Sequence, residues 1–188
     1  TEIDFLWKSI ENKGESLKSE LVGVVDSSYK IFDKDNWFYN NTLLKLCNAY
    51  TESFKNIGDR LPTSNKHPYY LNEMWVNYQK QTEFNPVHDH KGVYSFVIWM
   101  QIPTEYDEQK ENPIAKNTNS NDISNFCFNY INIIGEYSFF RYIMSKKMEG
   151  KMVFFPSKLT HTVYPFYNCS EDRISISGNI CLDSTRII

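Results

Sequence analysis

Apolar side chains recur every three, four or seven residues over the first third of the chain. In "IDFLWKSIENKGESLKSELVGVVDSSYKIF", Phe5, Leu6, Ile10, Leu17, Leu21, Val24 and Val25 follow that spacing. The pattern predicts one or two amphipathic helices, broken near Gly14. The stretch "NTLLKLCNAYTESFKNI" (41 to 57) repeats it, with Leu43, Leu44, Leu46, Cys47, Tyr50 and Phe54 on a broad face. These helices predict support, with no chemistry of their own.

From about residue 71 the texture changes to β-branched and aromatic runs separated by Gly, Pro, Asn and charged residues. Strands are predicted at 74–80, 92–102, 124–132, 151–157, 161–167 and 173–182. The polar stretch "TEYDEQKENPIAKNTNSND" (104 to 122) predicts a long surface loop. No internal repeat is visible. Short strands after a helical preamble predict a mainly β fold with flanking helices, a sandwich or jelly-roll barrel. One domain is expected over 1–188, with 1–60 as a helical buttress and 71–183 as the barrel.

Composition narrows the class. With 188 residues, 41% hydrophobic and 16% aromatic, the chain is long and apolar enough to bury a core. A net charge of -3 gives no sign of the basic stripe that nucleic-acid binding usually leaves. Cys47, Cys127, Cys169 and Cys181 form no C-x-x-C pair, which argues against a zinc knuckle or a disulfide scaffold and predicts buried free thiols. No leader pattern and no apolar run of about 18 residues is present, so a cytoplasmic, membrane-free protein is expected.

Chemistry concentrates in the second half. In "NPVHDHKGVYSFVIWMQIP", His88 and His90 sit two apart. On a strand such residues share a face, so the two rings project together while Asp89 points away. His161, in "GKMVFFPSKLTHTVYPF", stands in a similar strand-like setting. Three imidazoles at strand ends suit iron, zinc or copper; His67 stands apart from them. In "RISISGNICL", Ile174, Ile176, Ile180 and Leu182 alternate with Arg173, Ser175, Ser177 and Asn179. If the polar face turns inward, Arg173 enters the barrel and needs an anion, for which its planar fork suits a carboxylate.

At these residues the sequence resembles the Fe(II)/2-oxoglutarate-dependent dioxygenases. His161, eleven intervening residues and then Arg173-Ile-Ser175 look like that family's C-terminal signature. "WVNYQKQTEFNPVHDH" is similar to the run into its first metal ligand, and "FPSKLTHTVYPF" to the segment around its distal histidine. The resemblance is closest to a subgroup with W-V-N, H-x-H and F-P-S-x-L-x-H stretches, found in bacteria and phages. It implies a double-stranded β-helix over roughly residues 72–182, with Fe(II), 2-oxoglutarate and O2 as cofactor and cosubstrates. Arg173 and Ser175 would hold the distal carboxylate of 2-oxoglutarate, and Asn77 would contact the cosubstrate. The activity implied is oxidation, chiefly hydroxylation, of a small-molecule or peptide substrate, coupled to decarboxylation of 2-oxoglutarate.

The common family motif is H-x-D, and this sequence departs from it. Two residues after His88 stands His90, and two after His90 stands Gly92. The preferred ligand set is therefore His88, His90 and His161, with Asp89 or Glu83 as alternative carboxylate ligands. Cupins, which share the barrel and use H-x-H, are the rival. They want a glutamate soon after the pair, where this chain has Val93 and Tyr94. A catalytically inactive jelly-roll protein is the remaining alternative.

Overall fold

The computed structural model describes residues 1–54 and 65–188. Its core is nine antiparallel strands in two sheets. They are β1 (Ser27–Lys30), β2 (Tyr69–Gln79), β3 (Asn85–His88), β4 (Tyr94–Gln101), β5 (Phe126–Ile131), β6 (Tyr137–Tyr142), β7 (Met152–Pro156), β8 (His161–Val163) and β9 (Arg173–Leu182). One sheet runs β1-β2-β9-β4-β7 and the other β3-β8-β5-β6. From β2 onward the chain passes back and forth between the two sheets. That alternation makes the barrel a double-stranded β-helix, as expected.

Side-chain alternation divides the five-stranded sheet into two faces. Tyr94, Phe96 and Ile98 of β4, Met74 and Val76 of β2, and Ile174, Ile176 and Ile180 of β9 point to one face. They pack under Leu6, Ile10, Phe38, Leu43 and Cys47 of the N-terminal elements. Val97, Trp99, Val153 and Phe155 point the other way and meet Phe126 and Phe128 of the second sheet. The site lies on this inner face.

The N-terminal half departs from the helical expectation. Over residues 1–38 the one α-helix is α1 (Glu2–Glu11). It is capped by the Thr1 Oγ, which accepts from the Asp4 N–H at 3.2 Å, and it buries Leu6 and Ile10 one turn apart. The helix stops before Gly14, whose N–H turns instead to the Lys30 carbonyl at 2.7 Å. Leu17, Leu21, Val24 and Val25 lie on no helix. The chain there runs beside β1, with the Leu17 N–H on the Ser28 carbonyl, and then bridges Val24 to Phe84. β-Branched Val22, Val24 and Val25 favour that extended path. A π-helical turn (Tyr39–Leu43) leads into α2 (Leu44–Ser53), which the 41–57 pattern predicts; its last three residues lie outside those described.

Other boundaries shift for identifiable reasons. β2 starts at Tyr69, five residues before the expectation, and carries a β-bulge at the Leu71/Glu73 step against β9. The polar stretch 104–122 holds a short helix, α3 (Tyr106–Lys110), among turns. β8 ends at Val163, because Pro165 follows and cannot continue a ladder. β1, β3 and β6 have no counterpart among the expected strands; β6 is a sheet edge whose side chains are mostly exposed. Cys47 and Cys127 are buried free thiols, whereas Cys169 and Cys181 are partly exposed. Among the described residues, no helix is long and apolar enough to cross a membrane.

Candidate active site

β3 and β8 are paired so that His88 stands directly opposite His161. Direct cross-strand partners share a face, so both rings turn into the barrel. His90 lies just past the end of β3, where its N–H donates to the Ser157 carbonyl at 2.9 Å. One ring nitrogen from each of His88, His90 and His161 lies within 4.8 Å of the others. The rings are packed at centroid distances of 5.0 Å (His88–His90), 4.2 Å (His88–His161) and 5.0 Å (His90–His161).

Two of the rings have their tautomers fixed by the backbone. The His88 Nδ1 lies 2.7 Å from the Pro86 carbonyl, and the His161 Nδ1 lies 3.0 Å from the Leu159 carbonyl. A carbonyl can only accept, so each Nδ1 carries the proton and each Nε2 is left as a lone pair. The His90 Nε2 lies 3.2 Å from the His161 Nε2. Burial holds all three rings neutral. It lowers the His88 pKa, takes His90 down to about 4 with His88 adding to the effect, and takes His161 down to about 3, again reinforced by His88. Three neutral imidazoles with converging nitrogens form a donor set that fits a first-row divalent metal.

The carboxylate alternatives face elsewhere. Asp89 lies just past β3 at the exposed rim of the cavity, where both of its oxygens sit 3.4 Å from the Lys158 Nζ. Glu83 accepts from the backbone of Asp26 and Lys80 at 3.0 and 2.8 Å. His67 lies apart, its Nδ1 on the Arg186 carbonyl at 2.6 Å.

The inner face of β2 and β9 supplies a floor in successive rungs. Glu73 pairs with Asn179, Trp75 with Ser177, Asn77 with Ser175, and Gln79 with Arg173. All eight line one cavity of about 440 Å³ that also holds the three histidines. Trp75 stands 5.8 Å from the His90 ring. Arg173 is 2% exposed. Its guanidinium donates to the Ser124 Oγ at 2.6 Å, approaches the Gln79 Oε1 at 3.5 Å and lies 4.9 Å over the Phe166 ring. The Nε–H has no partner and, among the described residues, no carboxylate pairs with the cation. Burial alone lowers its pKa to about 9. An uncompensated buried guanidinium facing a cavity fits an anionic ligand, since a carboxylate would restore the lost solvation. The Asn77 Oδ1 accepts from the Ser28 Oγ at 2.7 Å, which leaves the Asn77 amide hydrogens free to donate.

Several site residues carry no recognisable sequence signal. Ser124 sits at φ 67° in a loop and reaches Arg173 across 49 residues. Leu17, Leu21 and Val25, read above as a helical stripe, line the cavity wall instead. Of the aromatics in the strands, Trp75, Trp99, Phe126 and Phe155 line the cavity, Phe96 touches both cavity and core, and Tyr94 packs under the helices.

The geometry can be set beside known proteins. No curated protein matches the chain in sequence. Among solved structures, an oxidoreductase of the 2OG-Fe(II) oxygenase family from Burkholderia pseudomallei aligns over 68% of this chain at 14% identity, with a TM-score of 0.42. This chain spans half the length of that one. A viral collagen prolyl hydroxylase from Paramecium bursaria Chlorella virus-1, solved with 2OG, aligns over 95% of this chain and 88% of its own. Its TM-score is 0.50 at 12% identity. A prolyl-4-hydroxylase from Pseudomonas putida covers 93% and 80% respectively, with a TM-score of 0.48 and 12% identity. Residues 73–179, which run from the first inward rung of β2 through all three histidines to the matching rung of β9, match the family described as "Putative 2OG-Fe(II) oxygenase". The chain belongs to that family.

Proposed function

We propose that this protein is an Fe(II)- and 2-oxoglutarate-dependent hydroxylase. The observation that carries the reading is the convergence of three neutral imidazoles and one unpaired buried guanidinium on a single cavity. His88, His90 and His161 would hold Fe(II) through ring nitrogens. Arg173 would receive the distal carboxylate of 2-oxoglutarate, with Ser175 and Asn77 donating beside it. When bound, the iron with 2-oxoglutarate supplies the oxidising chemistry, which no side chain can provide.

The chain's own residues do the rest. The Nδ1 anchors of His88 and His161 keep two lone pairs aimed at a common point without any ring rotation. Ser124 and Gln79 fix the plane of the Arg173 fork, so that a carboxylate meets a pre-set donor pair. Trp75, Val97, Trp99, Phe126 and Phe155 wall the space between the two anchors and limit water there.

The test is calorimetric titration of 2-oxoglutarate into metal-loaded protein, followed by assay of succinate formation with candidate substrates. Metal-dependent 2-oxoglutarate binding is expected. Metal binding without any 2-oxoglutarate affinity would favour a cupin-like metalloenzyme, and absence of metal binding would make the chain a non-catalytic jelly roll.

A further inference from the structure

In a regular strand Leu71 and Glu73 would share a face. Leu71 nevertheless pairs with Ile180 and packs into the core beneath the helices. The β-bulge between them inserts one extra residue opposite β9 and reverses the alternation. Glu73 stays in phase with Trp75, Asn77 and Gln79, pairs with Asn179 and faces the cavity, while Leu71 beyond the bulge turns to the core. A bulge disrupts the ladder locally, and bulges occur preferentially where a side chain is re-aimed beside a functional site.

The carboxylate is also held from behind. The Asn179 Nδ2 donates to the Glu73 Oε1 at 2.7 Å. The orientation of that amide is fixed in turn, because the Ser95 Oγ donates to the Asn179 Oδ1 at 2.7 Å and the Ser157 Oγ lies 2.8 Å from Ser95. Ser95, Ser157 and Asn179 are all almost completely buried. Three side chains, from β9, β4 and the end of β7, thus fix one acceptor. No lysine, arginine or histidine of the described residues forms an ion pair with Glu73.

The position of Glu73 separates it from the cosubstrate. Its rung adjoins that of Trp75, the residue against His90, and lies six residues along β9 from Arg173, a span of about 20 Å. The exposed side chains lining the cavity include Glu20, Asp89 and Lys91, and Lys91 follows His90 directly in the chain. We infer that Glu73 is a substrate-recognition residue and that the substrate presents a cationic amine or guanidinium group to it. This rests on the oxygenase reading above, which places 2-oxoglutarate at the Arg173 end.

The experiment uses the zinc-loaded protein with 2-oxoglutarate, titrated with blocked tripeptides whose central residue is lysine, arginine, norleucine or glutamate. The lysine and arginine peptides are expected to bind about tenfold or more tighter than the norleucine peptide, as for a charge-assisted contact. Glu73→Gln should erase that preference while zinc and 2-oxoglutarate affinities persist. Glu73→Asp, which keeps the charge on a shorter arm, should retain the preference in weakened form. Equal binding of lysine and norleucine peptides, or a preference that survives in Glu73→Gln, overturns the assignment. A wild-type protein that binds neither zinc nor 2-oxoglutarate overturns the oxygenase reading and this inference with it. Intact binding of both without a cationic preference overturns this inference alone.

Discussion

His88 and His161 face each other across β3 and β8, and each donates its Nδ1–H to the carbonyl two residues before it. The same local device on two strands aims both Nε2 lone pairs at one point. Replacing His161 or His88 by alanine is therefore expected to lower zinc or Fe(II) affinity by about a hundredfold or more. Asp89→Asn and His67→Ala should leave it nearly unchanged, since one carboxylate faces Lys158 and the other ring faces Arg186. A metal titration of the four variants side by side checks this. A strong Asp89→Asn effect would refute the three-histidine set.

Arg173 should give opposite signs in two assays. Arg173→Leu removes a buried cation with no anionic partner, so the ligand-free protein is expected to be as stable as the wild type or more so. The same substitution should cost about 2–5 kcal/mol in 2-oxoglutarate affinity. Arg173→Lys keeps a charge but loses the two-pronged geometry, and affinity should again fall. Denaturant melts and calorimetry on one set of proteins test both halves.

The metal-free protein should lose stability in mild acid. His90 and His161 have folded-state pKa values pushed by burial to about 4 and about 3, from an ordinary value of 6.5. Between those limits the unfolded chain binds more protons than the folded one, so stability falls as pH drops from about 6.5 toward 3. His161→Phe should flatten that slope, since the ring already stacks on Phe126 at 5.4 Å and phenylalanine suits the space. Unfolding midpoints between pH 4 and 7 give the comparison; a slope unchanged in His161→Phe would contradict the assignment.

Gly178 occupies the middle of β9 where two neighbours crowd it. An added Cβ would lie 2.7 Å from the Glu73 carbonyl and 2.7 Å from the Phe96 ring. Gly178→Ala is expected to destabilise the fold by about 1–3 kcal/mol through overpacking. Thermal melting is the readout, and a neutral effect would show that the ring and strand yield freely.

Where sequence alternation coincides with a buried sheet, the fold and much of the site are legible in advance. The Ile/Ser alternation of β9 places Arg173 and Ser175 inward, and the two-residue spacing of His88 and His90 brings both rings together without Asp89. Leu17 to Val25 mislead because cavity-lining apolar residues can fall at helical spacing by chance. β6 is missed because Tyr137, Phe139 and Phe140 are exposed, and an edge strand with aromatics on both faces shows no contrast. Gln79 and Ser124 reach Arg173 from 94 and 49 residues away, through pairings that no local pattern encodes. Glu73 shares the inward phase of Trp75, Asn77 and Gln79, but it precedes the strand expected at 74–80.

The pairing of β2 with β9 joins the first and last strands of the barrel, with Glu73 and Asn179 in contact across 106 residues. Its loop-closure entropy must be met before the ladder rewards it, so this seam is expected to close late in folding and to slow it. Asn77 and Arg173 lie on opposite sides of that seam. A nascent chain that has not yet released β9 therefore has histidines but no receptor for an anion. Because an anionic ligand would engage only the sealed barrel, its concentration should act as a clamp on the seam and retard unfolding from the C-terminal strand.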